Sequence, residues 1–188
     1  MPDLPTVILP LVIALLTLAG GYLNSVRLEQ KKARLAFVSE QLKSLYGPLY
    51  SLSQASMAAW TAFRTHHRPT GVFFDPANPP SPTELEEWRR WMKLVFTPMN
   101  ERMVGAIVGH ADLIAEPRMP ASFLALIAHV EAYRVVLARW DAGDFSQNTS
   151  VINFPETLND DVEQSFNALK DVQARLMSGA TASRRPVR

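Results

Sequence analysis

The chain has 188 residues, a length typical of about one domain. It carries 19 Lys and Arg residues against 18 Asp and Glu residues, so no overall charge favours a nucleic-acid partner. The absence of cysteine excludes a disulfide framework, a thiolate metal site and cysteine catalysis. Hydrophobic residues make up 47% of the chain, which is ordinary for a globular protein, but they are unevenly distributed along it.

The N-terminal segment is strongly apolar. The 23 residues from Leu4 to Val26 carry no charged side chain, and as a helix they would be about 34 Å long, enough to cross a bilayer core. A cleaved signal peptide fits less well, because no Lys or Arg precedes the run and no Ala-x-Ala site follows it. A buried core helix is the third interpretation. We predict an uncleaved transmembrane anchor over residues 1–26.

Charged residues beside the anchor predict its orientation. Asp3 is the only charged side chain before it, whereas four cations and a single acid, Glu29, follow it closely. Because Lys and Arg are enriched on cytoplasmic flanks, we expect a single-pass inner-membrane protein with its N-terminus outside and residues 27–188 in the cytoplasm. The lipid bilayer is then the first partner. The residues expected at the membrane interface are Tyr22, Arg27, Lys31, Lys32, Arg34, Arg184, Arg185 and Arg188.

After the anchor, the sequence is dominated by helical periodicity. From Leu28 to Phe63, apolar residues recur at alternating steps of three and four, which is the heptad seam of a coiled coil. A second apolar stripe widens this face to that of a bundle helix. Pro48 and Pro98 fall inside helical patterns and predict kinks. The predicted helices cover approximately residues 27–66, 82–115, 120–142 and 155–178.

Turn-forming residues separate these helices. The segment from His67 to Pro82 has five prolines in 16 residues and is predicted to be a loop. Ser81, with proline next and Glu84 three residues on, predicts a helix N-terminus with a capping box. Residues 179–188 are predicted to form a disordered basic tail.

Four helices with short connections most simply form an up-down-up-down bundle. The predicted fold is therefore all-α, with an N-terminal transmembrane helix continuing into an antiparallel four-helix-bundle-like cytoplasmic domain over residues 27–178. Its first and second helices are expected to be long and kinked. In this arrangement the fourth helix returns toward the membrane, which would bring the basic tail close to the cations that follow the anchor.

Two histidines are the first candidates for chemistry. His110 and His129 lie on apolar stripes at similar distances from the middle of the turn at residues 117–120, so an antiparallel hairpin would place them at about one level. Such a pair could begin a metal site or share a proton. Core histidines that hydrogen-bond to neighbours are the favoured interpretation, because the Glu-x-x-His pairs of carboxylate-metal bundles are absent. We therefore assign no catalytic residue, no metal ligand and no cofactor.

Recognised catalytic motifs are absent from the sequence. It contains no P-loop, no dinucleotide-binding fingerprint, no Gly-x-Ser-x-Gly and no His-Glu-x-x-His. The tryptophans are interpreted as core and loop packing rather than as a ligand cage. They are Trp60, Trp88, Trp91 and Trp140.

One short segment carries a family resemblance. Residues 41–50, QLKSLYGPLY, shortly follow the predicted anchor. They resemble segments of uncharacterised bacterial single-pass membrane proteins, and the similarity covers these ten residues and the general layout. The resemblance implies a bacterial membrane protein and carries no activity with it.

These observations lead to two functional hypotheses. The first is a membrane-anchored, non-enzymatic interaction, scaffold or sensor module. A second copy could pair with it through the seam of the first helix, and an unidentified cytoplasmic protein would be its partner. The alternative is a small metal- or proton-dependent enzyme centred on His110 and His129.

Overall fold

The structure is a computed structural model that describes residues 4–69 and 72–178, with side chains described from residue 15 onward. Within these residues the chain is helical and contains no β-strand, which confirms the all-α prediction for this part of the chain. The predicted disordered tail at 179–188, with Arg184, Arg185 and Arg188, lies outside the described residues, as do the side chains of the first half of the predicted anchor.

Four long helical segments are described, and two of them are interrupted by a π-helical turn. The first is α1 (Leu4–Glu40), a π turn (Gln41–Tyr46) and α2 (Gly47–His67). The second is α3 (Pro82–Trp91), a π turn (Met92–Phe96) and α4 (Thr97–Gly109), which a short 3-10 turn (Ala111–Leu113) follows. The third and fourth are α5 (Ala121–Asp141) and α6 (Leu158–Ser178).

Two predicted helix ends differ from the structure. The second helical segment was expected to reach residue 115 but ends at Gly109, because His110 leaves helical geometry with φ −131° and ψ 36°. The fourth was expected to begin at residue 155 but begins at Leu158. There the backbone first makes a turn in which the Leu158 N–H donates to the carbonyl of Pro155.

The chain divides into two compact units, Met1–Ser39 with Asp171–Arg188, and Glu40–Lys170. In the first unit, the Gln173 side-chain amide donates to Ser39 Oγ at 3.1 Å, so the last turns of α6 lie beside the end of α1. The predicted domain boundary after residue 26 falls inside the continuous α1 and remains a prediction.

Apolar exposure distinguishes α1 from α5. Leu15, Leu16 and Leu18 of α1 are each more than half exposed. Among the residues with described side chains, 15–69 and 72–178, α5 is the one helix that is long and apolar enough to cross a membrane, with a mean hydropathy of 1.5. Eight of its residues are buried in the second unit, as expected for the core helix of a bundle. The anchor over residues 1–26 therefore remains a prediction.

Both π turns end two residues before a proline. Proline lacks the N–H that an α-helix requires, and its ring clashes with the carbonyl four residues earlier. Ahead of Pro48, the Gly47 N–H bonds to the carbonyl of Leu42, five residues back. Ahead of Pro98, the Thr97 N–H bonds in the same way to Met92. The predicted kinks thus take the form of widened turns that let each helix continue past its proline.

The core of the second unit is aromatic. In this unit α4 packs against both α2 and α5. The central buried cluster consists of Phe63, Phe73, Trp88, Met92, Phe96, Tyr133, Val136 and Trp140, with Trp60 and Trp91 packed against it. All four tryptophans therefore belong to or contact this core, as the packing interpretation expected.

The heptad seam is largely used within the chain. Leu42, Leu45, Leu49 and Phe63 are all buried, whereas Leu28 at the start of the seam is half exposed. Most of the surface that was expected to pair with a second copy therefore contributes to the chain's own core.

The proline-rich loop is held in place by Arg68. Its guanidinium binds both oxygens of Glu84, at 2.7 and 3.0 Å, and donates to the carbonyls of Asn78 and Pro79. The Arg68 guanidinium lowers the pKa of Glu84 to about 2. Glu84 also completes the predicted capping box with Ser81. The loop consequently inserts Phe73 into the core.

Gly47→Ala tests the first π turn. A Cβ at this position would collide with the backbone carbonyl of Leu42. We expect a loss of about 1–3 kcal/mol in the free energy of unfolding, measured by chemical denaturation of the full chain and followed by circular dichroism. Gly105→Ala in α4 is the matched control, because nothing lies within 4 Å of a Cβ there. That change should stabilise the chain by about 0.5–1 kcal/mol. Equal effects of the two changes would contradict the proposed role of Gly47.

Candidate functional site

A cavity of about 470 Å³ lies within the second unit, a size typical of small-molecule sites. Side chains from α2, α3, the second π turn, α4, α5 and α6 line it, together with the loop between α2 and α3 and the segment that connects α5 to α6. Its aromatic wall is formed by Trp60, Phe74, Trp88, Phe96, Tyr133 and Phe154.

The aromatic wall is held by ring-to-ring contacts. The Trp60 ring meets the edges of Trp88 and Phe96, with ring centroids 6.0 and 6.2 Å apart and interplanar angles of 74° and 69°. Edge-to-face packing of this kind is favourable because the positive edge of one ring faces the negative face of the next. Helical spacing places Trp60 on α2 and Trp88 on α3, and only tertiary packing brings their rings together.

Two asparagines of the cavity wall have buried oxygens without a hydrogen-bond partner. Asn100 is 4% exposed, and its Oδ1 is fully buried; Asn159 Oδ1 is also buried and unpartnered. An unpaired polar atom in the interior destabilises a fold by about 1–3 kcal/mol, so such atoms usually have a structural or functional reason. Both oxygens belong to residues that line the same cavity, and each can accept a hydrogen bond from a molecule bound there.

His129 lines the cavity as a neutral imidazole. Its Nδ1 lies 2.7 Å from the carbonyl oxygen of Ile152, and a carbonyl can only accept, so Nδ1 carries the proton. Burial lowers the pKa of His129 below its usual 6.5. The other ring nitrogen, Nε2, is therefore left as a hydrogen-bond acceptor. The imidazole also packs against the rings of Tyr133 and Phe154, with centroids 5.4 and 5.7 Å away.

The segment after α5 is fastened to the bundle by aromatic donors. The carbonyl of Asn148 accepts from Trp88 Nε1 at 2.8 Å and from the Tyr133 hydroxyl at 3.1 Å. The neighbouring carbonyl of Gln147 accepts from Trp140 Nε1 at 2.8 Å. Together with the His129 bond, these contacts hold one wall of the cavity in place. Burial raises the pKa of Tyr133, so its hydroxyl stays protonated as the donor.

The cavity wall contains little charge. Among its lining residues Glu156 is the one ionised group, and its side chain is exposed; no Lys or Arg lines the cavity. The other polar side chains are the amides, hydroxyls, imidazole and indoles of Ser56, Trp60, Trp88, Asn100, His129, Tyr133, Thr149, Ser150, Asn153 and Asn159. The site therefore suits a molecule with a large apolar or aromatic body and a few hydrogen-bonding groups.

The two candidate histidines lie in different surroundings. His129 lies in the cavity wall, whereas the half-buried His110 follows the C-terminus of α4 and is not among the lining residues. The ring contacts and hydrogen bonds of the described residues do not join the two imidazoles. No group of three or more metal-ligating side chains is found in the described part of the chain.

The predicted membrane-interface residues that are described lie along α1. Tyr22, Arg27, Lys32 and Arg34 are exposed, and Lys31 is partly buried. Lys32 pairs with Glu29 at 2.9 Å, and both of these side chains are largely exposed. These positions are compatible with contact to headgroups and do not test it.

The sequence interpretation missed the cavity itself. Asn100 lies two residues after Pro98 in an otherwise apolar pattern, and this isolated buried amide was the available signal. The contribution of residues 149–159 could not be recognised, because a polar connecting segment gives no periodicity to interpret.

No family model matches the chain, and comparison with curated proteins and with solved structures yields no match. The class that the described residues define is an all-helical bundle with an aromatic cavity.

His129 predicts a pH-dependent stability. Its pKa is lowered in the folded state, so the unfolded chain binds the proton first as the pH falls, and protonation favours unfolding. We expect the free energy of unfolding to decrease between about pH 7 and about pH 5, and His129→Gln to flatten that decrease. The free energy of unfolding is measured by chemical denaturation of the full chain at a series of pH values. A slope that stays unchanged in His129→Gln would contradict the assignment.

Proposed function

We propose that this chain is a membrane-anchored, non-enzymatic module whose helical bundle binds a small molecule, as a sensor or interaction protein does. The observation that carries this proposal is the cavity of about 470 Å³ with aromatic walls and two unpartnered buried asparagine oxygens. A wall of neutral hydrogen-bonding groups suits binding, whereas chemistry requires a nucleophile, a metal or a charged acid-base pair near the bound molecule.

The membrane part of the proposal rests on the sequence and on the first unit. We propose that residues 1–26 form a single transmembrane helix in the bacterial inner membrane, with the N-terminus outside and the rest of the chain in the cytoplasm. The uncharged run and the cations after it support this arrangement. The exposed leucines of α1 are consistent with a lipid environment.

We further propose that the helices form an antiparallel bundle in which the C-terminal end of α6 points toward the membrane. The hydrogen bond between Gln173 and Ser39 supports it, because the last turns of α6 lie beside α1 within the first unit. Arg184, Arg185 and Arg188 would then join the cations after the anchor at anionic headgroups. A cytoplasmic protein remains the proposed downstream partner. Pairing with a second copy is restricted to the start of the heptad seam, near the exposed Leu28.

The enzyme centred on His110 and His129 receives no support from the described residues. His129 donates its Nδ1 proton to a backbone carbonyl, and its burial favours the neutral form. This arrangement is typical of a histidine that positions a loop and lines a cavity.

The cavity can be tested with N-phenyl-1-naphthylamine, a neutral aromatic amine whose fluorescence rises in apolar surroundings. We expect saturable binding to the full chain in lipid nanodiscs, after subtraction of nanodiscs without protein. Thr149→Trp places a bulky ring at an exposed residue of the cavity wall and should weaken binding about tenfold or more. Thr83→Trp, at an exposed position of α3 away from the cavity, is the control and should bind normally. Absence of saturable binding would contradict the proposal.

The absence of cysteine makes the topology directly testable. A cysteine introduced by Asp3→Cys should react with an impermeant maleimide in intact bacterial spheroplasts. One introduced by Met177→Cys, at a position that is 70% exposed, should react only after permeabilisation. Labelling of Met177→Cys in intact spheroplasts would reverse the proposed orientation. Release of the chain from membranes by alkaline carbonate would exclude the anchor.

A further inference from the structure

The cavity presents hydrogen-bond acceptors to its contents and lacks the charge that an anion needs. We infer that its ligand is an aromatic amine or a related organic cation: a planar aromatic body with an N–H donating head. This inference rests on the proposed function and specifies the ligand class of the same cavity.

The first argument concerns the groups that have no partner. Asn100 Oδ1 and Asn159 Oδ1 are buried acceptors without a donor. The Nδ1–H of His129 already donates to the Ile152 carbonyl, so the other ring nitrogen, Nε2, is also an acceptor. The three acceptors belong to residues that line the same cavity, and a ligand that donates N–H bonds supplies the partners they lack. A carboxylate or phosphate would instead bring further acceptors.

The second argument concerns charge. No Lys or Arg lines the cavity, and burial disfavours the protonated form of His129, so no positive charge in the wall compensates an anion. A cation meets favourable groups instead, since the faces of aromatic rings attract positive charge and Trp60, Trp88 and Tyr133 are all in the wall. Glu156 adds the one negative charge among the lining residues and is exposed to solvent.

The third argument concerns shape. The wall combines rigid rings with Met57 and Met92, whose unbranched side chains adapt to an irregular body. A bicyclic aromatic molecule with a short side arm suits a cavity of about 470 Å³ that Asn100 helps to line.

Three probes that share one ring and differ in the head group test the ligand class: tryptamine, tryptophol and indole-3-propionate. We measure their affinities by calorimetry with the full chain in nanodiscs, at neutral pH. Tryptamine should bind at least about tenfold more tightly than indole-3-propionate, with tryptophol between them. Glu156→Gln should reduce the preference for tryptamine over tryptophol by about twofold to threefold, which corresponds to an exposed charge interaction.

Asn100→Leu tests the acceptor. It should weaken tryptamine binding by about fivefold to tenfold, the effect of one lost hydrogen bond. It should preserve or raise the unfolding temperature, because an unpaired buried oxygen is removed. Asn167→Leu, an exposed asparagine of α6, is the matched control and should leave binding unchanged.

The outcomes separate the two proposals. If indole-3-propionate binds as tightly as tryptamine or more tightly, and Thr149→Trp still abolishes binding, the cavity is a ligand site but the inferred class is wrong, and amide N–H groups face the ligand. If no probe binds and N-phenyl-1-naphthylamine also fails, the cavity holds solvent only and both proposals fall. If tryptamine binds equally to the native chain, Asn100→Leu and Thr149→Trp, it binds elsewhere and the inference is overturned.

Discussion

The structure depends on how two long helices continue past a proline. Each proline removes one backbone donor and would drive its ring into the carbonyl four residues earlier. The chain resolves this by widening the preceding turn to π geometry at Gln41–Tyr46 and at Met92–Phe96. Widened turns of this kind are frequent at functional sites. Here the second one supplies Met92 and Phe96 to the cavity, and Asn100 follows in the first turn of α4.

A second constraint holds the irregular segments against the bundle. Side-chain donors of the core bind backbone carbonyls of the connecting segments: Trp88 and Tyr133 at Asn148, His129 at Ile152, and Arg68 at Asn78 and Pro79. Buried polar groups of this type need partners, and each bond also defines the position of a loop. The aromatic residues that hold the connecting segments in place thus both line the cavity and belong to the buried core.

The proposed function follows from the contrast between satisfied and unsatisfied polar groups. Tyr46, Glu116 and Ser165 form a hydrogen-bonded set that links the first π turn and α6 to the connection between α4 and α5. The oxygens of Asn100 and Asn159 are buried without such partners. Of the five buried side-chain atoms without a partner in the described residues, the two asparagine oxygens belong to residues that line one cavity, and this pairing is what favours a binding site. The membrane anchor would confine that site to the cytoplasmic face of a bilayer.

The sequence by itself determined the helical class, the positions of the breaks and the capping box at Ser81. These depend on local physics: the periodicity of apolar residues, the missing N–H of proline and the reach of a short side chain to its own backbone. The helix ends at Gly109 and Leu158 were set by turns that long-range contacts stabilise, and local patterns missed them by several residues. The sequence also identified His129 as a buried residue of interest. It could not identify its partner Ile152, which lies 23 residues away across a loop. Only the tertiary structure determined the cavity. Its wall combines rings from α2, α3 and α5 with a polar connecting segment, and these residues are far apart in the sequence.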